Sequence, residues 1–205
     1  MELLEKESLD VLYEQEKKIP YYVGYIFFKE NEYQGLESHQ EAVMTQLGYY
    51  NRVTKCSQWA IAHYNEVGTA VTPEEFKTEF SFIEADPIME TELDPTTFGR
   101  DQYPIYVNLD MIKVLEVSPQ LFFKEQSAYE QAFFDGVQIE SLTRADFVSL
   151  NEDLFPEKQN LVIYSWNPEF TNYYNFDDVS SSVRLWSVYD PINKRLTVIT
   201  IFLVF

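Results

Sequence analysis

The sequence predicts an α+β fold, a mostly antiparallel sheet ending in a C-terminal three-strand meander, with helices packed on one face. Three observations predict it. Aromatic and β-branched residues concentrate in an early segment and in three segments that follow one another at the end of the chain. Apolar residues between these groups recur at helical spacing. Gly, Pro, Asn and Asp punctuate the boundaries. At 205 residues the chain is long enough to bury roughly 70% of its unfolded surface, and a single globular domain over 1–205 is expected.

Residues 3–19 carry Leu4, Val11 and Leu12 at amphipathic spacing and stop at Pro20, which predicts a first helix. Residues 21–28, YYVGYIFF, are almost continuously hydrophobic and predict a strand covered on both faces. Helical spacing resumes over 37–64, through Ala42, Val43 and Leu47 and then Val53, Cys56, Trp59, Ala60 and His63. Gly48 to Asn51 suggest a break there and hence two helices, and Gly68 ends the region. Thr72-Pro73-Glu74-Glu75 has the form of a helix start, with Thr as N-cap and Pro at the first position, and predicts a short helix to about Phe82. Pro87, Pro95 and Gly99 make 84–101 a long loop. A short strand over 104–109, a helical turn over 110–115 and helices over 127–135 and 143–154 follow. Strands over 160–166 and 182–189 are joined by an aromatic loop, 167–178. The turn Asp190-Pro191-Ile192-Asn193-Lys194 leads into the last strand, 195–205. That strand is so apolar that an edge position would invite aggregation, so it belongs inside the sheet.

Composition narrows the function. The chain has 15 basic and 34 acidic residues, a net charge of −19 at pH 7. Its 45% hydrophobic and 17% aromatic content separates it from a disordered acidic tail. Nucleic acid is excluded as a direct partner, because phosphate binding needs clustered Lys and Arg, and the basic residues here are scattered. A basic protein surface is the complementary partner, attracted at long range; the same charge also keeps an aromatic-rich chain in solution. One cysteine, Cys56, and two histidines, His39 and His63, permit neither an intramolecular disulfide nor a Cys/His zinc site. The N-terminal segment lacks the apolar core of a secretory signal, and the longest apolar run, 196–205, is far short of the roughly 20 residues of a membrane span. A cytoplasmic protein without membrane contact is expected; the oligomeric state is left open.

Chemistry-bearing motifs are sparse. Cys56 and His63 would share a helix face, but seven residues separate their Cα atoms by about 10 Å, beyond nucleophile-to-base reach. Their spacing with Trp59 and Ala60 is that of a buried stripe. His39 sits among Glu37, Ser38 and Gln40 on an expected exposed turn or helix start. The six glycines are too far apart for a phosphate cradle, and no Gly-x-Ser-x-Gly elbow occurs. No cofactor and no metal are expected, and an enzymatic role is disfavoured.

Two constellations stand above this background. Glu84, Asp86, Glu90, Glu92 and Asp94 crowd into eleven residues of apparent loop. Their spacing does not match a twelve-residue calcium loop with Gly at its sixth position. They read either as an acidic docking loop for a basic partner or as a solvated loop. The second is the stretch around Trp166, Tyr173, Tyr174, Asp177 and Asp178. Trp and Tyr bury large areas at low entropic cost and often anchor interfaces; interleaved Asn and Asp also suit a sugar, and the rings could equally cap the sheet. Two functions are expected on these grounds. The first is a non-enzymatic acidic interaction protein that inhibits or neutralises a basic partner, in the manner of an immunity protein or antitoxin; mimicry of DNA by spaced carboxylates is a sub-case. The alternative is a small-molecule or glycan-binding or hydrolytic domain using carboxylates beside an aromatic-lined cleft.

Overall fold

The structure, a computed structural model, describes residues 1–4, 7–8, 22–70, 72, 86–98, 104–135, 142–174 and 183–203. The chain divides into two compact units. The first comprises Met1–Val43, Ile112–Pro168 and Asp178–Phe205, the second Met44–Met111 and Glu169–Asp177.

The first unit is the α+β body that the sequence predicts. Its six strands are β1 (Glu2–Leu3), β2 (Val23–Lys29), β5 (Val114–Glu116), β6 (Val162–Trp166), β7 (Val183–Asp190) and β8 (Arg195–Phe202). They form one antiparallel sheet in the order β1-β2-β8-β7-β6-β5. The terminal strand lies between β2 and β7, the interior position its hydrophobicity demands. Strands β6, β7 and β8 form the expected meander, and Asp190 fixes the β7–β8 turn by accepting from the Ile192 and Asn193 N–H groups.

Alternation along the strands sorts side chains onto two faces. On one face Tyr25, Phe27, Ile163, Trp186, Val188, Ile199 and Ile201 build the core with helices α2 (Pro119–Phe122), α3 (Ala128–Asp135) and α4 (Arg144–Leu154). These helices supply Phe122, Tyr129, Phe133, Phe147 and Leu150. Thr143 caps α4 in a reciprocal box with Asp146. Within this apolar layer one polar chain is fully matched. The Tyr25 hydroxyl bonds Tyr129 at 2.7 Å, Tyr129 donates to Asn151 Oδ1 at 3.1 Å, and Asn151 donates to the Phe147 carbonyl. The opposite face, through Tyr164 and Ser187, receives His39 from the start of helix α1 (Leu36–Val67).

The second unit contains the rest of α1, the two-stranded parallel ribbon β3 (Met89–Glu90) and β4 (Tyr106–Val107), and the segment around Phe170 to Tyr174. Buried Asn51 of α1 donates to the Pro87 carbonyl and accepts from the Ile105 N–H, while Asn172 accepts from the Tyr106 N–H at 2.8 Å. Asparagine side chains thus complete the backbone pairing of a ribbon too short to satisfy itself.

Three expectations are corrected. Helix α1 runs unbroken through Gly48 to Asn51. An interior glycine costs a helix only about 1 kcal/mol against alanine, and Asn51 spends its side chain on Pro87 and Ile105 rather than on its own helix backbone. Residues 109–116 form a 3-10 turn, Leu109–Met111, followed by strand β5 rather than a single helical turn. Leu3 begins in a strand, paired with Phe28, rather than in a helix. Glu7 and Ser8 are helical, with the Ser8 N–H on the Leu4 carbonyl; the remainder of the first expected helix, residues 5–6 and 9–19, and the expected helix after Thr72 fall outside the described residues. Gly68 does end α1, in the left-handed region at φ 78 with its N–H on the Tyr64 carbonyl.

Candidate partner-binding site

Part of the acidic stretch lies in the second unit as a built surface. Strand β3 pairs with β4 through the Met89 N–H to the Ile105 carbonyl and the Thr91 N–H to the Val107 carbonyl, both at 2.8 Å. Parallel pairing of this kind turns the backbone of Glu90 away from β4. Asn108 then locks the two acidic segments together. Its Nδ2 donates to the Leu93 carbonyl at 3.0 Å, its Oδ1 accepts from the Asp110 N–H at 3.0 Å, and its own N–H donates to the Phe170 carbonyl. The result is a groove of about 380 Å³ between Glu90, Thr91 and Glu92 on one side and Asn108, Leu109 and Asp110 on the other.

The charge and the apolar surface coincide there. Glu90, Glu92 and Asp110 are exposed and make no ion pair among the described residues. Exposed Met89, Leu93 and Leu109 neighbour them in sequence. Such a surface offers negative charge with hydrocarbon beside it, the complement of Lys or Arg, whose charged heads end apolar stems.

The other acids of the stretch are placed differently. Asp86 bridges Arg52 at 3.1 Å and Lys55 at 3.5 Å and donates its N–H to the Gly48 carbonyl, so it ties its segment to α1. Asp94 is exposed, and its carbonyl accepts from the Thr97 N–H and hydroxyl to start a 3-10 turn. Glu84, Asp177 and Asp178 lie outside the described residues.

The aromatic candidates are largely spent on packing. Trp166, in the first unit, is buried, and its indole N–H donates to Ser187 Oγ at 2.8 Å. In the second unit Tyr174 is buried with its hydroxyl donating to Gln46, while half-buried Tyr173 stacks on Tyr50 with ring centroids 4.5 Å apart.

The most organised polar cluster is one that the sequence reading passed over. His39 is 0% exposed, not on an exposed turn. Its Nδ1 lies 2.7 Å from Ser187 Oγ, its Nε2 lies 3.0 Å from the Tyr33 hydroxyl, and its ring meets Tyr164 edge-on. Trp166 can only donate to Ser187, and Ser187 keeps a second acceptor lone pair beside its own proton, so the 2.7 Å contact to His39 Nδ1 fits either neutral tautomer of the ring. Burial holds the His39 pKa down at about 3, so the ring is a neutral imidazole. A serine 2.7 Å from an imidazole has the geometry of a nucleophile and its base, but Ser187 is 0% exposed and sits inside the sheet. The cluster is a core lock. The only local signal of it is a serine between Trp186 and Val188 in an interior strand. Asp110 and Asn108 carried no signal either, since the contacts that use them are made in space.

Cys56 is buried, and burial pushes its thiol pKa up, away from nucleophilic use. Among the described residues no three His, Cys, Asp or Glu side chains are arranged to hold a metal ion, and no helix is long and apolar enough to cross a membrane. Compared with known protein families, curated protein sequences and solved structures, the chain matches none.

Proposed function

We propose that this chain is a non-enzymatic interaction protein that binds and neutralises a basic protein partner, in the manner of an inhibitor or immunity protein. The observation that supports this reading is the groove at Glu90, Glu92 and Asp110, where exposed carboxylates with no ion pair among the described residues meet exposed Met89 and Leu93 on a ribbon fixed by Asn108. A net charge of −19 steers a basic partner toward such a surface and raises the rate of encounter. The single cysteine fits a reducing, cytoplasmic setting. The partner docks against the groove by inserting Lys or Arg side chains, and the apolar rim supplies affinity that salt does not screen.

The test is capture of partners from a native extract at about 0.1 M and about 0.5 M salt, where the Debye length falls from about 10 Å to roughly half that. A basic protein retained at the lower salt, and bound at least tenfold more weakly by the combined variant Glu90→Gln, Glu92→Gln, Asp110→Asn, supports the reading. Equal affinity of that variant removes the groove from the interface.

A further inference from the structure

The C-terminal half of α1, within the second unit, presents large apolar side chains to solvent. Val53, Ile61 and Tyr64 are 60%, 62% and 56% exposed. At 3.6 residues per turn they fall within an arc of about 100°, together with Ser57, Ala60 and Gly68. Buried Asn51 and Cys56 lie outside that arc, so the stripe is not the side by which α1 packs inside its unit. Exposed apolar residues scattered singly need no explanation, but three on one face of one helix do.

Charge and side-chain size together select what covers it. Between residues 53 and 68 the charged side chains are Lys55 and Glu66, and the helical period turns both about 160–180° away from the stripe. Thr54, Gln58 and Asn65, which flank it, are uncharged. A surface without carboxylates offers nothing to a basic partner, yet it can meet a copy of itself without burying an unpaired charge. The order of sizes matches such a copy. An antiparallel helix related by a two-fold axis midway between residues 60 and 61 sets Val53 opposite Gly68, Ser57 opposite Tyr64 and Ala60 opposite Ile61. Every large side chain then faces a small one, which close helix packing requires, and each pairing occurs twice, as in any isologous contact. We propose that α1 pairs with α1 of a second copy along this stripe, in that register, to form a two-fold dimer.

Area and net charge set its strength. Residues 53 to 68 span about 24 Å along a helix about 10 Å wide, a contact well under the roughly 800 Å² per partner of stable complexes. Two bodies of charge −19 also repel each other. The dimer is therefore weak, populated at high protein concentration, and strengthened by salt as the Debye length shortens. That sign is opposite to the one expected of a basic partner at the groove of Glu90, Glu92 and Asp110, so the two readings fail separately.

The test is sedimentation equilibrium of the full chain from about 10 μM to about 1 mM, in about 0.05 M and about 0.5 M sodium chloride. A monomer–dimer equilibrium that tightens at the higher salt is expected. Ser57, Ile61 and Tyr64 are exposed in the single chain, so substituting them leaves the fold intact. Ile61→Gln combined with Tyr64→Gln should weaken the dimer about tenfold or more, because it removes the two largest side chains of the contact. Two further variants read the register. Ser57→Tyr sets tyrosine against tyrosine and should weaken the dimer about tenfold by overpacking, although it adds apolar surface. Ser57→Tyr combined with Tyr64→Ser exchanges the two sides and should restore the parental constant. A monomer at every concentration, tighter association in Ser57→Tyr, failure of the exchange to restore the dimer, or its dissociation by salt overturns the proposal.

Discussion

Ser187 shows how much one hydroxyl can organise. It accepts the Trp166 indole proton and faces His39 Nδ1 at 2.7 Å inside the sheet. The His39 pKa lies at about 3 because burial disfavours the imidazolium, against roughly 6.5 in an unfolded chain. The unfolded state therefore takes up a proton below about pH 6.5 that the native state refuses until about pH 3. The contribution of neutral His39 to stability is complete above pH 6.5 and declines as pH falls through that window, by at most about 1.4 kcal/mol per pH unit. His39→Gln is expected to be less stable than the parent chain at pH 7, with the gap narrowing at pH 4.5 in urea unfolding. A gap that stays constant would show that His39 does not titrate differently in the two states. The Tyr25, Tyr129 and Asn151 chain permits a second comparison. Tyr129→Phe strands the Tyr25 hydroxyl and Asn151 Oδ1, whereas Tyr25→Phe removes only a donor. The first substitution should cost about 2–3 kcal/mol and the second about 1 kcal/mol, and equal losses in denaturant titration would refute the assigned direction of donation. None of this was legible in the sequence, because the neighbours of His39, Glu37 to Gln40, describe a surface turn. Its burial comes from Ser187 and Tyr164, more than a hundred residues along the chain.

Elements were legible where a local pattern and a boundary signal agreed. Helix α4 was marked by Thr143 before an apolar periodicity, and the structure closes its capping box with Asp146. Thr143→Ala is expected to lower global stability by about 1 kcal/mol, because Phe147 and Leu150 tie this helix to the core; an unchanged unfolding midpoint would mean that the cap frays without consequence. The meander was equally readable, since β6, β7 and β8 are long enough for turn residues to bracket them. Strands β1 and β3 were not, as two residues carry no period. The continuity of α1 was hidden for a different reason. Gly48, Tyr49, Tyr50 and Asn51 look like an interruption until Asn51 is seen to bond outward to Pro87 and Ile105. The groove was legible in part: Glu90 and Glu92 stood out by density of charge, while Asp110 and Asn108 join them only because β3 and β4 pair.

At the scale of the whole molecule the net charge of −19 acts on stability and on association with opposite sign. Like charges on a compact body repel, and the unfolded chain relieves that repulsion by separating them. Added salt screens the interaction as the Debye length falls from about 30 Å at 0.01 M to about 8 Å at 0.15 M. The thermal midpoint is therefore expected to rise over that range, since 34 acidic residues face only 15 basic ones and the ion pairs among the described residues are few. Association with a basic partner should respond the other way, because the same screening removes the attraction that steers it. Two salts separate general screening from a bound ion. Sodium chloride and tetramethylammonium chloride screen alike, so they should raise the midpoint equally. A midpoint that stays flat or falls in both would mean that the carboxylates are already balanced by local pairing. Steering by net charge would then lose its support, leaving the groove at Glu90, Glu92 and Asp110 to account for recognition alone.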